Sequence, residues 1–207
     1  MNQRLGDLVV LVADKDMEQT LQGLLSRPPA LGIRPLGCKF YVHQNHDSGC
    51  RSRGVDFLRT FATSYDHALL IFDYHGAGAD AESRVELEAR LERDLGANGW
   101  QDRAAAIVID PELEAWVWSD SPHVPTALGW PADGGEMRDF LHERQFLAAD
   151  AAKPSNPKEA LEACRRQRGL ARSPSFFRAL AEKVSFRRCT DPSFDKLCRC
   201  LRGWFGA

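Results

Sequence analysis

The chain has 207 residues, of which 43% are hydrophobic and 27% charged, with a net charge of −2 and six cysteines. This composition excludes a disordered chain, and the lack of any apolar run near the roughly 20 residues that span a bilayer excludes a membrane protein. The first residues also lack the apolar core of a secretory signal, so we expect a cytoplasmic protein with no membrane partner and with free thiols, a zinc site being the less favoured alternative.

Short apolar runs predict the strands of a buried sheet. The first run is Leu8–Ala13, and the others span residues 38–42, 67–72 and 104–109. Continuous runs of valine, isoleucine and leucine are typical of strands that are buried on both faces. The sequence therefore predicts about four strands, the second of them with the weakest pattern.

Helical patterns separate these runs. The first predicted helix has Asp16 as its N-cap and is stopped by Pro28 and Pro29, whereas residues 43–52 are predicted to form a polar loop. Further helices are predicted over 55–62, 81–95 and 111–118. Strands that alternate with helices at this spacing favour right-handed crossovers. We therefore predict an α/β fold with a mainly parallel sheet flanked by helices.

The strand pattern ends after Trp118, and short proline-broken helices follow to the end of the chain. We predict an α/β domain over residues 1–120 and a helical C-terminal extension over 121–207 that packs on it. Charge follows a similar division, because residues 1–150 carry 14 basic and 24 acidic side chains whereas 151–207 carry 13 and 5. The basic part either faces phosphates or a partner, or lies against the acidic part.

Acidic residues follow the ends of three predicted strands. Ligands of parallel α/β sheets bind outside the carboxyl ends of the strands, and clustered carboxylates attract hard cations such as Mg²⁺ or Mn²⁺. The alternative is that each carboxylate caps a helix or holds a turn. Metal ligation is predicted for Asp14, Asp73 and Glu112, and catalytic roles for Asp73, Glu112, Glu114 and Glu18.

Several motifs resemble a family of small Toprim-like proteins from bacterial defence gene clusters, of the methylation-associated anti-phage type. The most specific is Pro111-Glu-Leu-Glu-Ala-Trp-Val-Trp118, and the others are His46-Asp-Ser-Gly-Cys50, Asp73-Tyr-His-Gly76, Asn156-Pro-Lys-Glu159, Ser173-Pro-Ser-Phe176 and Asp191-Pro-Ser-Phe194. The resemblance covers most of the chain. It implies a Toprim-like fold, a divalent metal, and a role with nucleic acid or with other defence proteins.

The chain departs from the Toprim pattern at two positions. The resemblance implies a glutamate soon after the first strand, where this chain has Ala13 or Asp14, and an Asp-x-Asp after the third, where it has Asp73-Tyr-His75. Histidine is a poor Mg²⁺ ligand, so His75 is a candidate ligand for another metal or a proton shuttle. Otherwise Asp80 takes its place, or catalysis has been lost.

Arginines of the C-terminal part are candidates for contacts with phosphates of a nucleic acid. The predicted contacts are Arg165, Arg166, Arg168, Arg187 and Arg188, with Arg172 as a further candidate. Two functions are therefore expected. One is a metal-dependent nucleic-acid phosphodiesterase within an anti-phage defence system, and the other is a non-catalytic subunit of a defence complex. A module that binds a nucleotide or another small ligand is a third possibility.

Overall fold

A computed structural model describes residues 5–79 and 81–207, and within them the predicted strands form one all-parallel sheet in the order β2-β1-β3-β4. The strands are β1 (Gly6–Val12), β2 (Cys38–Val42), β3 (Tyr65–Asp73) and β4 (Ala104–Ile109). In this register Val12 is aligned with Val42 on β2 and Ile71 on β3, and Asp73 is aligned with Ile109. The predicted α/β fold is confirmed, and all four strands end at the same edge of the sheet.

Helices flank the sheet and make up most of the C-terminal part. They are α1 (Lys15–Leu25), α2 (Pro28–Leu31), α3 (His46–Arg59), α4 (Arg84–Leu95), α5 (Glu114–Val117), α6 (His123–Ala127), α7 (Gly135–Glu143), α8 (Pro157–Gln167), α9 (Pro174–Ala181) and α10 (Pro192–Phe205). A π-helical turn over Gly96–Trp100 and a 3-10 turn over Phe186–Arg188 complete the helical structure of the described residues. None of these helices is long and apolar enough to cross a bilayer.

Two predictions at the start of the chain are corrected. The N-cap of α1 is Asp14 and not Asp16, since the extended backbone of Asp14 lets its carboxylate accept the Met17 N–H at 2.9 Å. Pro28 does end α1, but it also starts the one-turn helix α2. Proline suits the first turn of a helix because no intrahelical partner is needed for its missing N–H.

The predicted loop over residues 43–52 is wrong, because α3 begins at His46 and carries most of that segment. Its polar sequence lacks a helical apolar pattern, and the helix is fixed by packing against the sheet. Gly49 is essential to this packing, because a Cβ there would lie 2.2 Å from Nδ1 of His43. The absence of a side chain thus brings α3 close to the carboxyl end of β2.

The C-terminal helices share one hydrophobic core with the sheet. Trp116 and Trp118 join them, each being less than 10% exposed. The Trp116 indole donates to the Ser193 hydroxyl of α10 at 2.8 Å, and the Trp118 indole donates to the Pro157 carbonyl of α8 at 2.9 Å. These two tryptophans therefore anchor the C-terminal helices to the segment that follows β4.

The closest approach between the two parts lies between α1 and α9. A Cβ at Gly23 of α1 would lie 2.7 Å from the Arg178 carbonyl oxygen and 2.8 Å from the Ala181 Cβ. Contacts this close require glycine in the middle of α1, although glycine is a poor helix former.

Side chains cover the outer edge of β4. The Glu88 carboxylate of α4, which is 3% exposed, accepts the Val108 N–H at 2.8 Å, and the Glu92 carboxylate accepts the Ala106 N–H at 3.2 Å. Lys196 of α10 pairs with both carboxylates, at 3.2 Å and 2.7 Å respectively. These acids therefore satisfy backbone donors that a neighbouring strand would otherwise satisfy.

Candidate functional site

Asp73, the last residue of β3, lies at the centre of the acidic edge. Its side chain is buried, with 9% of the residue exposed, and its Oδ1 atom has no hydrogen-bond partner. Burial raises the pKa of Asp73 well above its ordinary value, and the carboxylates of Asp47, Glu114 and Asp14 raise it further, while Lys158 opposes them. The structure thus brings Asp14 after β1, Asp73 after β3 and Glu114 after β4 into one electrostatic cluster.

Asp47, in the first turn of α3, is a member of this cluster that the sequence analysis did not select. Its Oδ1 accepts the backbone N–H of Asp73 at 2.8 Å. Its Oδ2 packs against Gly76, where a Cβ would lie 2.2 Å away. Burial raises the pKa of Asp47, and the nearby charge of Asp14 adds to the effect. The motif from His46 to Cys50 was the available signal, but its interpretation as a loop gave Asp47 no fixed position.

Glu114, at the start of α5, is 5% exposed. Burial raises its pKa to about 7, and the carboxylates of Glu112 and Asp16 act in the same direction, while Lys158 lowers it. Its carboxyl group therefore gains and loses a proton near neutral pH, which is the property required of a general acid or base.

Glu112 has a structural role at the N-terminus of α8. Its carboxylate accepts the Lys158 backbone N–H at 3.3 Å and lies 3.3 Å from the Lys158 ammonium. Burial lowers the pKa of Lys158, but the negative charges of Glu114 and Glu112 outweigh this effect and raise the pKa above its ordinary value. A carboxylate at a helix N-terminus is stabilised by the helix dipole, so the capping alternative applies to Glu112. It applies equally to Asp14, the N-cap of α1.

Two further residues that were predicted for the acidic site, Glu18 and His75, lie in other surroundings: the first has partners within its own helix, and the second is exposed. Glu18 pairs with Lys15 at 2.5 Å and accepts from Gln22 at 3.2 Å, both within α1. His75 is exposed, and its backbone N–H donates to the Pro111 carbonyl at 3.2 Å. Asp80 lies outside the described residues. Glu18 is therefore held by partners within α1, and His75 lacks the burial that Asp73 has.

The predicted nucleic-acid contacts divide into two groups. Arg165 is corrected, because it is 2% exposed and its guanidinium donates to the Ala171 carbonyl, so a phosphate cannot reach it. Arg166 and Arg187 are exposed. Arg168 and Arg188 are also exposed, but they donate to the backbone carbonyls of Gly129 at 2.7 Å and Asp120 at 2.6 Å.

The C-terminal basic segment lies in part against acidic residues of the α/β part of the chain, residues 1–120. Three of its cations form ion pairs across this boundary: Lys158 with Glu112 at 3.3 Å, Arg172 with Asp16 at 3.1 Å, and Lys196 with Glu88 at 3.2 Å. Two of these pairs, those of Lys158 and Arg172, border Glu114. The acidic edge and the basic segment therefore meet at one place.

The chemistry of this edge fits a hard divalent cation, although the cluster does not form a closed cage. Within the described residues, no group of three or more His, Cys, Asp or Glu side chains is arranged to hold a metal ion. Mg²⁺ keeps several waters and is usually bound through one or two carboxylates together with substrate phosphates. The unpartnered Oδ1 of Asp73 is a carboxylate oxygen that could bind such a cation, and the neighbouring carboxylates of Asp14 and Asp47 offer the same type of ligand.

No protein-family model, curated protein or solved structure matches this chain.

Proposed function

We propose that this protein is a divalent-cation-dependent phosphodiesterase that acts on nucleic acid in the cytoplasm as part of an anti-phage defence system. The observation that carries the proposal is the Oδ1 atom of Asp73, buried among carboxylates and without a hydrogen-bond partner. A buried acceptor with no donor is unfavourable, and like charges around it add to the cost. Binding of a proton or a cation by Asp73 would remove both the missing interaction and the repulsion. A cation at the carboxyl end of a strand would also lie where ligands of parallel α/β sheets bind.

The acidic residues of this edge would have different roles in the reaction, according to their positions. Asp73 and Asp14 would hold Mg²⁺ or Mn²⁺, and Asp47 orients the end of β3 by accepting the Asp73 N–H. The metal, when bound, supplies charge neutralisation for a phosphate and acidifies a bound water. Glu114 would accept the proton of the attacking water and release it near neutral pH, because its pKa is about 7. Glu112 keeps Lys158 beside the same edge.

Metal binding and cleavage test this proposal together. Thermal unfolding would be followed with Mg²⁺ and Mn²⁺ on the full chain and on Asp73→Asn, which keeps the size of the side chain and removes its charge. We expect Mn²⁺ to raise the melting temperature of the wild type only. Cleavage of plasmid and single-stranded DNA is expected to need Mn²⁺ or Mg²⁺, Asp73 and Glu114. A wild type that is neither stabilised by metal nor active would contradict the proposal.

A non-catalytic subunit of a defence complex is the second candidate. It is favoured by the lack of a three-residue metal-binding group in the described chain and by the engagement of Glu112 with Lys158. Under this alternative the acidic cluster holds protons and Lys158 in place of a metal. Equal melting temperatures with and without saturating metal, together with co-purification of a defence protein that survives Asp73→Asn, would favour it.

A further inference from the structure

Two cations of the C-terminal part are held at the acidic edge. The Lys158 Nζ atom, at the start of α8, lies 3.3 Å from Glu112 Oε2, and an Arg172 Nη2 atom, between α8 and α9, lies 3.1 Å from Asp16 Oδ2. Both cations also interact electrostatically with Glu114. They therefore flank the same buried carboxylate from two different segments.

These two side chains remain accessible while their partners do not. Lys158 and Arg172 are 44% and 56% exposed, whereas the side chains of Glu112 and Asp16 are each 11% exposed. An ion pair with a half-exposed cation is weak, so another anion can share or replace the partner. Arginine presents a planar fork to phosphate oxygens, and lysine acts as a compact point charge.

Other cations of the same region are committed elsewhere. Lys196 is 20% exposed and lies between Glu88 and Glu92, along the outer edge of β4. Arg168 donates to the Gly129 carbonyl at 2.7 Å, and Arg188 donates to the Asp120 carbonyl at 2.6 Å. Their positions give them no part in the cluster around Glu114.

A phosphate would be repelled by an edge made of carboxylates alone. The anionic side chains that meet there are Asp14, Asp16, Asp47, Asp73, Glu112 and Glu114. Accessible cations at the border of such a cluster lower the repulsion and give the substrate a defined point of attachment.

We infer that Lys158 and Arg172 form the phosphate-contacting rim of the acidic edge, so that the C-terminal extension binds the nucleic-acid backbone and the sheet supplies the carboxylates. This inference rests on the proposed function for its substrate class. It adds Lys158 to the phosphate contacts expected from the sequence, and it selects Arg172 from the arginine candidates.

Binding can be measured separately from cleavage. A fluorescein-labelled single-stranded DNA of mixed sequence would be titrated with the full chain in EDTA, and the anisotropy followed at several salt concentrations. Lys158→Gln and Arg172→Gln are each expected to weaken binding severalfold at low salt. Each is also expected to reduce the slope of log affinity against log salt by about 0.7, the value for one lost phosphate contact on a single strand.

Matched variants remove one charge elsewhere in the same region. Lys183→Gln changes an exposed lysine, and Arg199→Gln changes an exposed arginine that is paired with Asp195. Both are expected to bind like the wild type, and Lys158→Arg is expected to restore the slope. A wild type that does not bind the probe, or control variants that lose as much affinity as the test variants, would overturn the inference. Because EDTA removes metal, this result is independent of whether Mn²⁺-dependent cleavage occurs.

Discussion

The Asp47 carboxylate accepts the backbone N–H of Asp73 at 2.8 Å, which joins the first turn of α3 to the last residue of β3. The two side chains repel each other when both are ionised, and burial raises the pKa of each. A segment of the chain that follows β2 thus sets the position of an acid at the end of β3.

Substitution of Asp47 is expected to weaken metal binding without removing the fold. Asp47→Asn keeps an oxygen that accepts the Asp73 N–H but removes a charge, and we expect the affinity for Mn²⁺ to fall by about tenfold. Gly76→Ala would place a Cβ 2.2 Å from Asp47 Oδ2, so it is expected to give a similar loss by displacing the carboxylate. Calorimetric titration measures both, and unchanged affinities in both variants would remove Asp47 from the site.

Stability is expected to depend on pH through Glu114. Its pKa rises from 4.5 to about 7 on folding, so the folded state binds the extra proton and the free energy of unfolding falls as the pH rises between these values. The full effect is about 3 kcal/mol. The charged groups that face Glu114 are Asp16, Glu112, Lys158, Arg172 and Asp73.

Urea unfolding from pH 4.5 to 8 measures this dependence. Glu114→Gln is expected to reduce the slope of this curve, leaving the contribution that Asp73 and Asp47 make with the same sign. Equal slopes in the wild type and in Glu114→Gln would contradict the raised pKa of Glu114.

Removal of the Glu88 carboxylate is expected to be strongly destabilising. Glu88 accepts the Val108 N–H and pairs with Arg84 at 2.9 Å and Lys196 at 3.2 Å, so Glu88→Ala leaves a backbone donor and two cations without this partner. The expected loss is about 3 kcal/mol. Asp94→Ala on the same helix is the control, because its pair with Arg90 at 3.7 Å is exposed and is expected to contribute about 0.5 kcal/mol or less. Equal losses in the two variants by urea unfolding would contradict the role of Glu88.

Replacement of glycine by alanine is expected to change the free energy of unfolding in opposite directions at Gly23, where α1 packs on α9, and at Gly203 on α10. Gly23→Ala would press a methyl group to within 2.7 Å of the Arg178 carbonyl oxygen and is expected to lower the free energy of unfolding by about 1–3 kcal/mol. Gly203→Ala on α10 meets nothing within 4 Å and is expected to raise it by about 0.5–1 kcal/mol. If thermal and urea unfolding found both variants stabilised, the close packing of α9 on α1 would be ruled out.

Strands β1, β3 and β4 were predictable because each contains a continuous apolar run, and the first two of these runs placed Asp14 and Asp73 at one edge of the sheet. The first turns of α3 were not, because they are polar and their position depends on the fit of Gly49 against His43. That error concealed Asp47, whose role depends on the location of a helix. A local pattern does not contain this kind of tertiary information.

The charge of the C-terminal segment also did not show which of its arginines are buried and which are exposed. Arg165 and Arg166 are neighbours in α8, yet the first is 2% exposed and the second is exposed, because successive helix positions point in different directions. The alternative that the basic segment lies against acidic residues could be stated from the sequence. Which cations take part, Lys158 and Arg172 among them, required the fold.

The carboxylates of Glu88 and Glu92 cap backbone N–H groups on the outer edge of β4, which makes this edge of the sheet different from the outer edge of β2. Beyond β4, the amides of Ala106 and Val108 are already saturated, so an incoming chain finds no free donors there. At the opposite border no residue of β2 is fully buried. Extension of this sheet by a further strand is therefore obstructed alongside β4, and β2 is the border whose residues are the less buried of the two.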